Sequence, residues 1–244
     1  MKGIGMKRFS GISVAVAVMA AATLAGCPKP VTEDNQSQNF AAGAAKTNLE
    51  GKQLYFQPDG SISFYSRTVT DGITAFGVPT AGQAIVDFSV ADPFVLNLAA
   101  GSEVLYYGQS FSTLYIGSDG TVAFGVPGSG NASVTDHFSS KQISLLPVDA
   151  ADASETGTVS WQVFTDSVVV TFDAVDGSSF QAEFFISGAM DEDIAITYPT
   201  ISATAGGVAG LSNGQLAGSN AAQIAAFLSA FGTGSDLGTT NTGS

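Results

Sequence analysis

Apolar side chains recur at every second position through much of this chain. Val159, Trp161 and Val163 alternate with Ser160 and Gln162, which is the pattern of a strand with one buried face. Similar short runs occupy 83–90, 94–98, 104–107, 158–165, 168–172, 179–187 and 194–198, with turn formers between them at 166–167 and 188–193. Asp59-Gly60 stands between Leu54-Tyr55-Phe56 and residues 61–65. Ser118-Asp119-Gly120 stands between Leu114-Tyr115-Ile116 and Thr121-Val122-Ala123-Phe124. Asp tolerates positive φ and Gly adopts it without steric cost, so each Asp-Gly predicts a hairpin. The two segments share one pattern 60 residues apart. They are either a duplicated unit or two hairpins answering the same demands.

Only once does the period change to that of a helix. Ile224, Phe227, Leu228 and Phe231 form a stripe at i, i+3, i+4, i+7, with Ser219 or Asn220 as the cap and Gly232 as the stop. A helix is therefore expected over 219–232, followed by a disordered Gly/Thr/Ser/Asn tail at 233–244. Residues 28–48 are rich in Pro, Asn, Gln, Ala, Thr and Ser and lack periodicity. They predict a flexible tether spanning about 25 Å. Spacings near ten residues over 49–218 predict a mainly β domain, a β-sandwich or jelly-roll-like set of antiparallel sheets with one short C-terminal helix.

The N-terminus changes the picture of where this domain resides. A basic start (Lys2, Lys7, Arg8) precedes an apolar run of 13 residues from Ile12 to Leu24. That run suits a secretory signal and falls short of the roughly 20 residues that span a bilayer. Leu24-Ala25-Gly26-Cys27 follows, and Cys27 is the only cysteine. This ending resembles the lipobox of bacterial lipoproteins. The resemblance implies cleavage after residue 26 and a lipid on the Cys27 sulfur, so that 27–48 forms a lipidated N-terminus and tether. Pro28 stands where some lipoproteins carry the aspartate that retains them at the inner membrane, which by the same resemblance points to the outer membrane of a Gram-negative cell. Two or three acyl chains would hold the protein almost irreversibly, at roughly 0.8 kcal/mol per buried CH₂. Taking the three basic residues of the signal from the chain's eight leaves five against 21 acidic, a formal charge of −16. So acidic a chain disfavours nucleic acid, which needs Lys and Arg to displace counterions. It also leaves the lipid as the membrane contact.

A longer stretch carries a second resemblance. Tyr107-Gly108-Gln109-Ser110-Phe111 leads through Leu114-Tyr115-Ile116 and Ser118-Asp119-Gly120 to Val122-Ala123-Phe124-Gly125. Asp136-His137-Phe138, Gly157-Thr158-Val159-Ser160-Trp161, Asp193-Ile194-Ala195-Ile196-Thr197-Tyr198 and Gly207-Val208-Ala209-Gly210-Leu211-Ser212 follow in order. The series is similar to the nidogen-type extracellular domain family of bacterial surface proteins over roughly 105–215. That resemblance implies a sandwich-like domain of surface or matrix architecture, with no catalytic residues to carry over. It departs at Pro147-Val148-Asp149-Ala150-Ala151-Asp152, where relatives often show paired acids.

Candidate chemistry is sparse. His137 is the only histidine, so any Ser–His–Asp triad must use it with an acid such as Asp136 or Asp149. No Gly-x-Ser-x-Gly elbow sits between a strand and a helix. His137 reads instead as a structural or surface residue whose loss costs little. One histidine and no free cysteine make no zinc site. Asp191-Glu192-Asp193 reads as a solvated turn, because consecutive carboxylates point apart while calcium needs six to eight converging oxygens. Tyr106, Tyr107, Phe111 and Tyr115 read as core and cross-strand packing, or alternatively as a sugar-stacking platform. The sequence thus predicts no enzyme, no cofactor and no metal. It predicts a lipid-anchored envelope protein with a non-catalytic structural or adhesive domain and an extracellular protein or glycan as partner. The alternatives are a carbohydrate-binding module and, after it, a hydrolase of envelope polymers.

Overall fold

The computed structural model describes residues 31–33, 37–40, 48–58, 65–78, 82–85, 93–148, 157–202, 206–219, 221–223 and 225. Two antiparallel sheets dominate it. The first has the order β1 (Val31–Glu33), β4 (Tyr65–Asp71), β3 (Lys52–Pro58), β15 (Ile194–Thr200), β14 (Ser178–Phe185), β13 (Ser167–Val175), β12 (Thr158–Val163), β5 (Gln83–Ile85). The second runs β2 (Ser37–Phe40), β16 (Gly207–Asn213), β11 (Lys141–Ser144), β10 (Thr121–Phe124), β9 (Thr113–Ile116), β6 (Phe94–Asn97). A small hairpin joins β7 (Val104–Tyr106) to β8 (Gln109–Phe111). The mainly β, sandwich-like expectation holds.

Strand alternation sends one face of each sheet into a common core. From the first sheet come Leu54, Phe56, Val168, Val170, Phe172, Phe180, Ala182, Phe184, Ile194, Ile196 and Tyr198. From the second come Leu114, Ile116, Val122, Phe124, Ile143 and Leu211. Aromatic rings stitch the layers. Phe124 meets Phe184 edge-on at 5.8 Å and stacks on Tyr106 at 4.0 Å. Truncating either phenylalanine to alanine would cost about 3–5 kcal/mol in lost transfer energy and cavity.

The second sheet is covered on its other face as well. A five-residue helix, α1 (Val134–Phe138), lies there with Phe138 packed on Val208 and Leu216. Its start is written in Ser133-Val134-Thr135-Asp136. The Ser133 hydroxyl accepts from the Asp136 N–H at 3.1 Å and donates to the Asp136 carboxylate at 2.6 Å, a variant of the capping box.

Three expectations need correction or a boundary. Two segments of the supposed tether, Val31–Glu33 and Ser37–Phe40, are strands that extend the two sheets. The first hairpin ladder closes at Pro58 and Tyr65. Its second strand is described over Tyr65–Asp71, and Asp59-Gly60 and residues 61–64 lie outside the described residues. So do 86–90 of the expected 83–90 strand. At the C-terminus, 221–223 and 225 are helical and exposed. The apolar stripe Ile224, Phe227, Leu228, Phe231 lies outside the described residues, as does the tail at 233–244.

The second hairpin matches its sequence signal closely. Gly117 N–H donates to the Thr121 carbonyl, leaving a three-residue loop whose last member, Gly120, sits at φ +84°. This loop is buried. A β-carbon on Gly120 would lie 2.3 Å from the Leu146 carbonyl oxygen, and the Gly120 carbonyl already accepts from Leu145 N–H. Gly120→Val therefore combines a disfavoured φ with a backbone clash. We expect a loss of about 3 kcal/mol or more, read as a clear fall in denaturation midpoint. An unchanged midpoint would refute this account of the turn.

Candidate functional site

The polar groups with chemical potential gather on the outer face of the second sheet. Alternation places Ser144 and Gln142 of β11, Ser212 of β16 and Ser37 of β2 there, and α1 delivers His137 onto them. All five are buried, His137 completely. His137 Nε2 lies 2.9 Å from Ser37 Oγ, and Nδ1 lies 2.8 Å from Ser144 Oγ. The network assigns the tautomer. Ser37 spends its only proton on the Leu211 carbonyl at 3.0 Å, so it must accept from Nε2–H. Ser144 must then donate to Nδ1, while it accepts from Gln142 Nε2 at 3.4 Å.

Burial holds the imidazole neutral, its pKa pressed from 6.5 down to about 3, although hydrogen bonding to Leu211 opposes the shift. Among the described residues no carboxylate orients the ring. Asp136 is turned to Ser133, and Asp149 lies outside the described residues. Among the described residues no triad is assembled, and both ring nitrogens of His137 are held by serine hydroxyls. The expectation that it could be removed cheaply is wrong, because both ring nitrogens satisfy buried hydroxyls.

Gln142 extends the network. Its Nε2 donates to the Gly130 carbonyl, and its Oε1 accepts from Ser140 Oγ at 2.6 Å and from Ser129 N–H at 3.1 Å. The loop before α1 is thereby fastened to the sheet. Asn131 Nδ2 then reaches the Asp119 carbonyl at 2.9 Å. The Asp119 carboxylate accepts from Thr121 Oγ1 at 2.6 Å and from Thr121 N–H at 3.2 Å. Burial raises its pKa against those hydrogen bonds, so it too is a sealed structural group.

The acidic turn at 191–193 is only partly the solvated turn expected. Asp191 is exposed, but Asp193 is buried and accepts from Tyr55 OH at 2.6 Å and Gln57 Nε2 at 3.3 Å. Glu192, at φ +74°, accepts from Gly108 N–H at 2.7 Å and from Tyr65 OH at 3.3 Å. It caps the two-residue turn Tyr107-Gly108, where both residues have positive φ. Among the described residues no group of three His, Cys, Asp or Glu side chains could hold a metal ion. The four aromatics form no common platform. Tyr106 and Tyr107 are buried, and Tyr115 faces away from the half-buried Phe111, on the sheet's other side.

Leu24, Ala25, Gly26 and Cys27 lie outside the described residues. Among those described, no helix is long and apolar enough to cross a membrane.

Buried neutral, His137 ties stability to pH. The folded state binds fewer protons than the unfolded chain between pH 6.5 and about 3. Its contribution is whole above 6.5 and drains as pH falls towards 3, in total on the order of 4 kcal/mol. Asp119 and Glu183, whose pKa values are raised by burial, act in the opposite sense. Urea titrations of wild type should show stability falling between pH 6.5 and 4. His137→Gln should start lower, by about 1–3 kcal/mol, and should lose less over that range. Equal losses in both proteins would contradict the buried neutral imidazole.

Compared with known proteins, the chain matches no protein-family model, no curated protein and no solved structure.

Proposed function

We propose that this chain is a lipid-anchored protein of the bacterial cell envelope whose β domain is a non-catalytic structural or adhesive module. The anchoring rests on the basic start, the 13-residue apolar run and Leu24-Ala25-Gly26-Cys27. The non-catalytic reading rests on one observation. The single histidine has both nitrogens engaged by serine hydroxyls and no water-exposed surface, so it presents neither a base nor an acid to a substrate. The ordered motifs from Tyr107 to Ser212 favour surface architecture of the nidogen type. A lysine-poor, acid-rich exterior suits an extracellular protein or glycan partner better than nucleic acid.

Metabolic labelling of the full chain with a palmitate analogue in a Gram-negative host should mark the wild type in the outer-membrane fraction. Cys27→Ala should lose the label. Label retained by the variant would end the anchoring claim. Release of reducing ends or peptides from envelope polymers, abolished in His137→Gln, would end the non-catalytic one.

A further inference from the structure

Where the ends of β10, β11 and β16 meet the β7–β8 hairpin, a cleft of about 370 Å³ opens. That volume lies within the usual range for small-ligand sites. Phe111 and Phe124 wall it, their rings 5.5 Å apart and tilted by 49°. Gly125 and Gly214 keep its rim low, and Val126 stands exposed beside it. Four polar residues line it, and the hydroxyls of two, Ser139 and Ser140, are spent on the Thr135 carbonyl and Gln142 Oε1. Lys141 and Asn213 face each other across the β11–β16 ladder, so both project from the same face at the cleft.

Neither is satisfied within the described residues. The single ion pair there joins Lys52 to Asp71, so no carboxylate answers Lys141. Asn213 Oδ1 is buried without a hydrogen-bond partner. An orphaned buried carbonyl costs about 1–3 kcal/mol, and a lysine lining an apolar cleft gives up part of its hydration. Desolvation accordingly lowers the Lys141 pKa. The cleft therefore holds one uncompensated cation, one idle acceptor and an aromatic wall.

From this juxtaposition we propose that the cleft binds a small apolar carboxylic acid carrying an N–H beside its carboxylate, as in an N-acylated aromatic amino acid. The carboxylate meets Lys141 Nζ, the N–H donates to Asn213 Oδ1, and the apolar body lies against Phe111 and Val126, with Phe124 buried behind Phe111. This site is independent of the lipid anchor and of the adhesive reading.

The experiment measures binding to the full chain by calorimetry, with N-acetylphenylalanine as the probe. N-acetylphenylalanine amide removes the carboxylate, and 3-phenylpropionate removes the N–H. We expect the parent acid to bind and each analogue to bind roughly tenfold more weakly. Lys141→Gln should weaken the acid to the level of the amide. Asn213→Ala should make the acid and 3-phenylpropionate equivalent. Circular dichroism checks that both variants keep their β spectrum, and Lys141→Arg, which preserves the charge, should retain binding. No binding at millimolar concentration, or equal binding of acid and amide, would overturn the proposal. So would binding that appears only after residues 220–244 are removed, since the cleft would then belong to the chain's own C-terminal segment.

Discussion

An imidazole sealed from water has one proton to give and one lone pair to fill, and at His137 both are fixed by neighbours whose own choices are fixed. Gln142 donates to Ser144, Ser144 to His137, His137 to Ser37, and Ser37 to the Leu211 carbonyl. Every link runs in one direction, so removing any member strands its neighbour. The chain joins α1, β11, β16 and β2, and Ser37 enters it from 100 residues away in sequence. Tyr106 binds it to the core side. Its hydroxyl lies within hydrogen-bond distance of the Gln142 and Ser212 carbonyls and accepts from Ser212 N–H. The second sheet can thus be buried on both faces across β10, β11 and β16 because the outer polar residues there satisfy one another.

That rigidity carries local strain elsewhere. Tyr107 at φ +49° and Glu192 at φ +74° each cost about 1–3 kcal/mol for residues with a β-carbon. Tyr107 is held by edge-on contacts to Tyr65 at 5.1 Å and Tyr106 at 4.7 Å, and Glu192 by its bond to Gly108 N–H. Strained residues often mark active sites. Here the strained pair clamps a hairpin to the neighbouring turn, and the carboxylate involved is spent on a backbone amide. The geometry of these acids is that of fasteners.

Particular residues explain what could be read in advance. The alternation of Val159, Trp161 and Val163 announced a strand, and β12 is one, but only Val159 reaches the core: Trp161 is half-buried, Val163 is exposed and Ser160 is buried. Asp119-Gly120 announced a turn because positive φ needs it. Asp176-Gly177, both at positive φ between β13 and β14, carried an equally plain signal that the reading passed over. Ser133 with Asp136 starts α1, a helix the sequence expectation did not contain. The outer face of the second sheet was illegible for a different reason. Ala123, Gln142, Ser144 and Ser212 look like a solvent face, and only the arrival of α1 and β2 from elsewhere makes them interior. Strands β1 and β2 were illegible for a related reason. Val-Thr-Glu and Ser-Gln-Asn-Phe become strands because β4 and β16 offer open edges, which is a tertiary effect that overrides weak propensity.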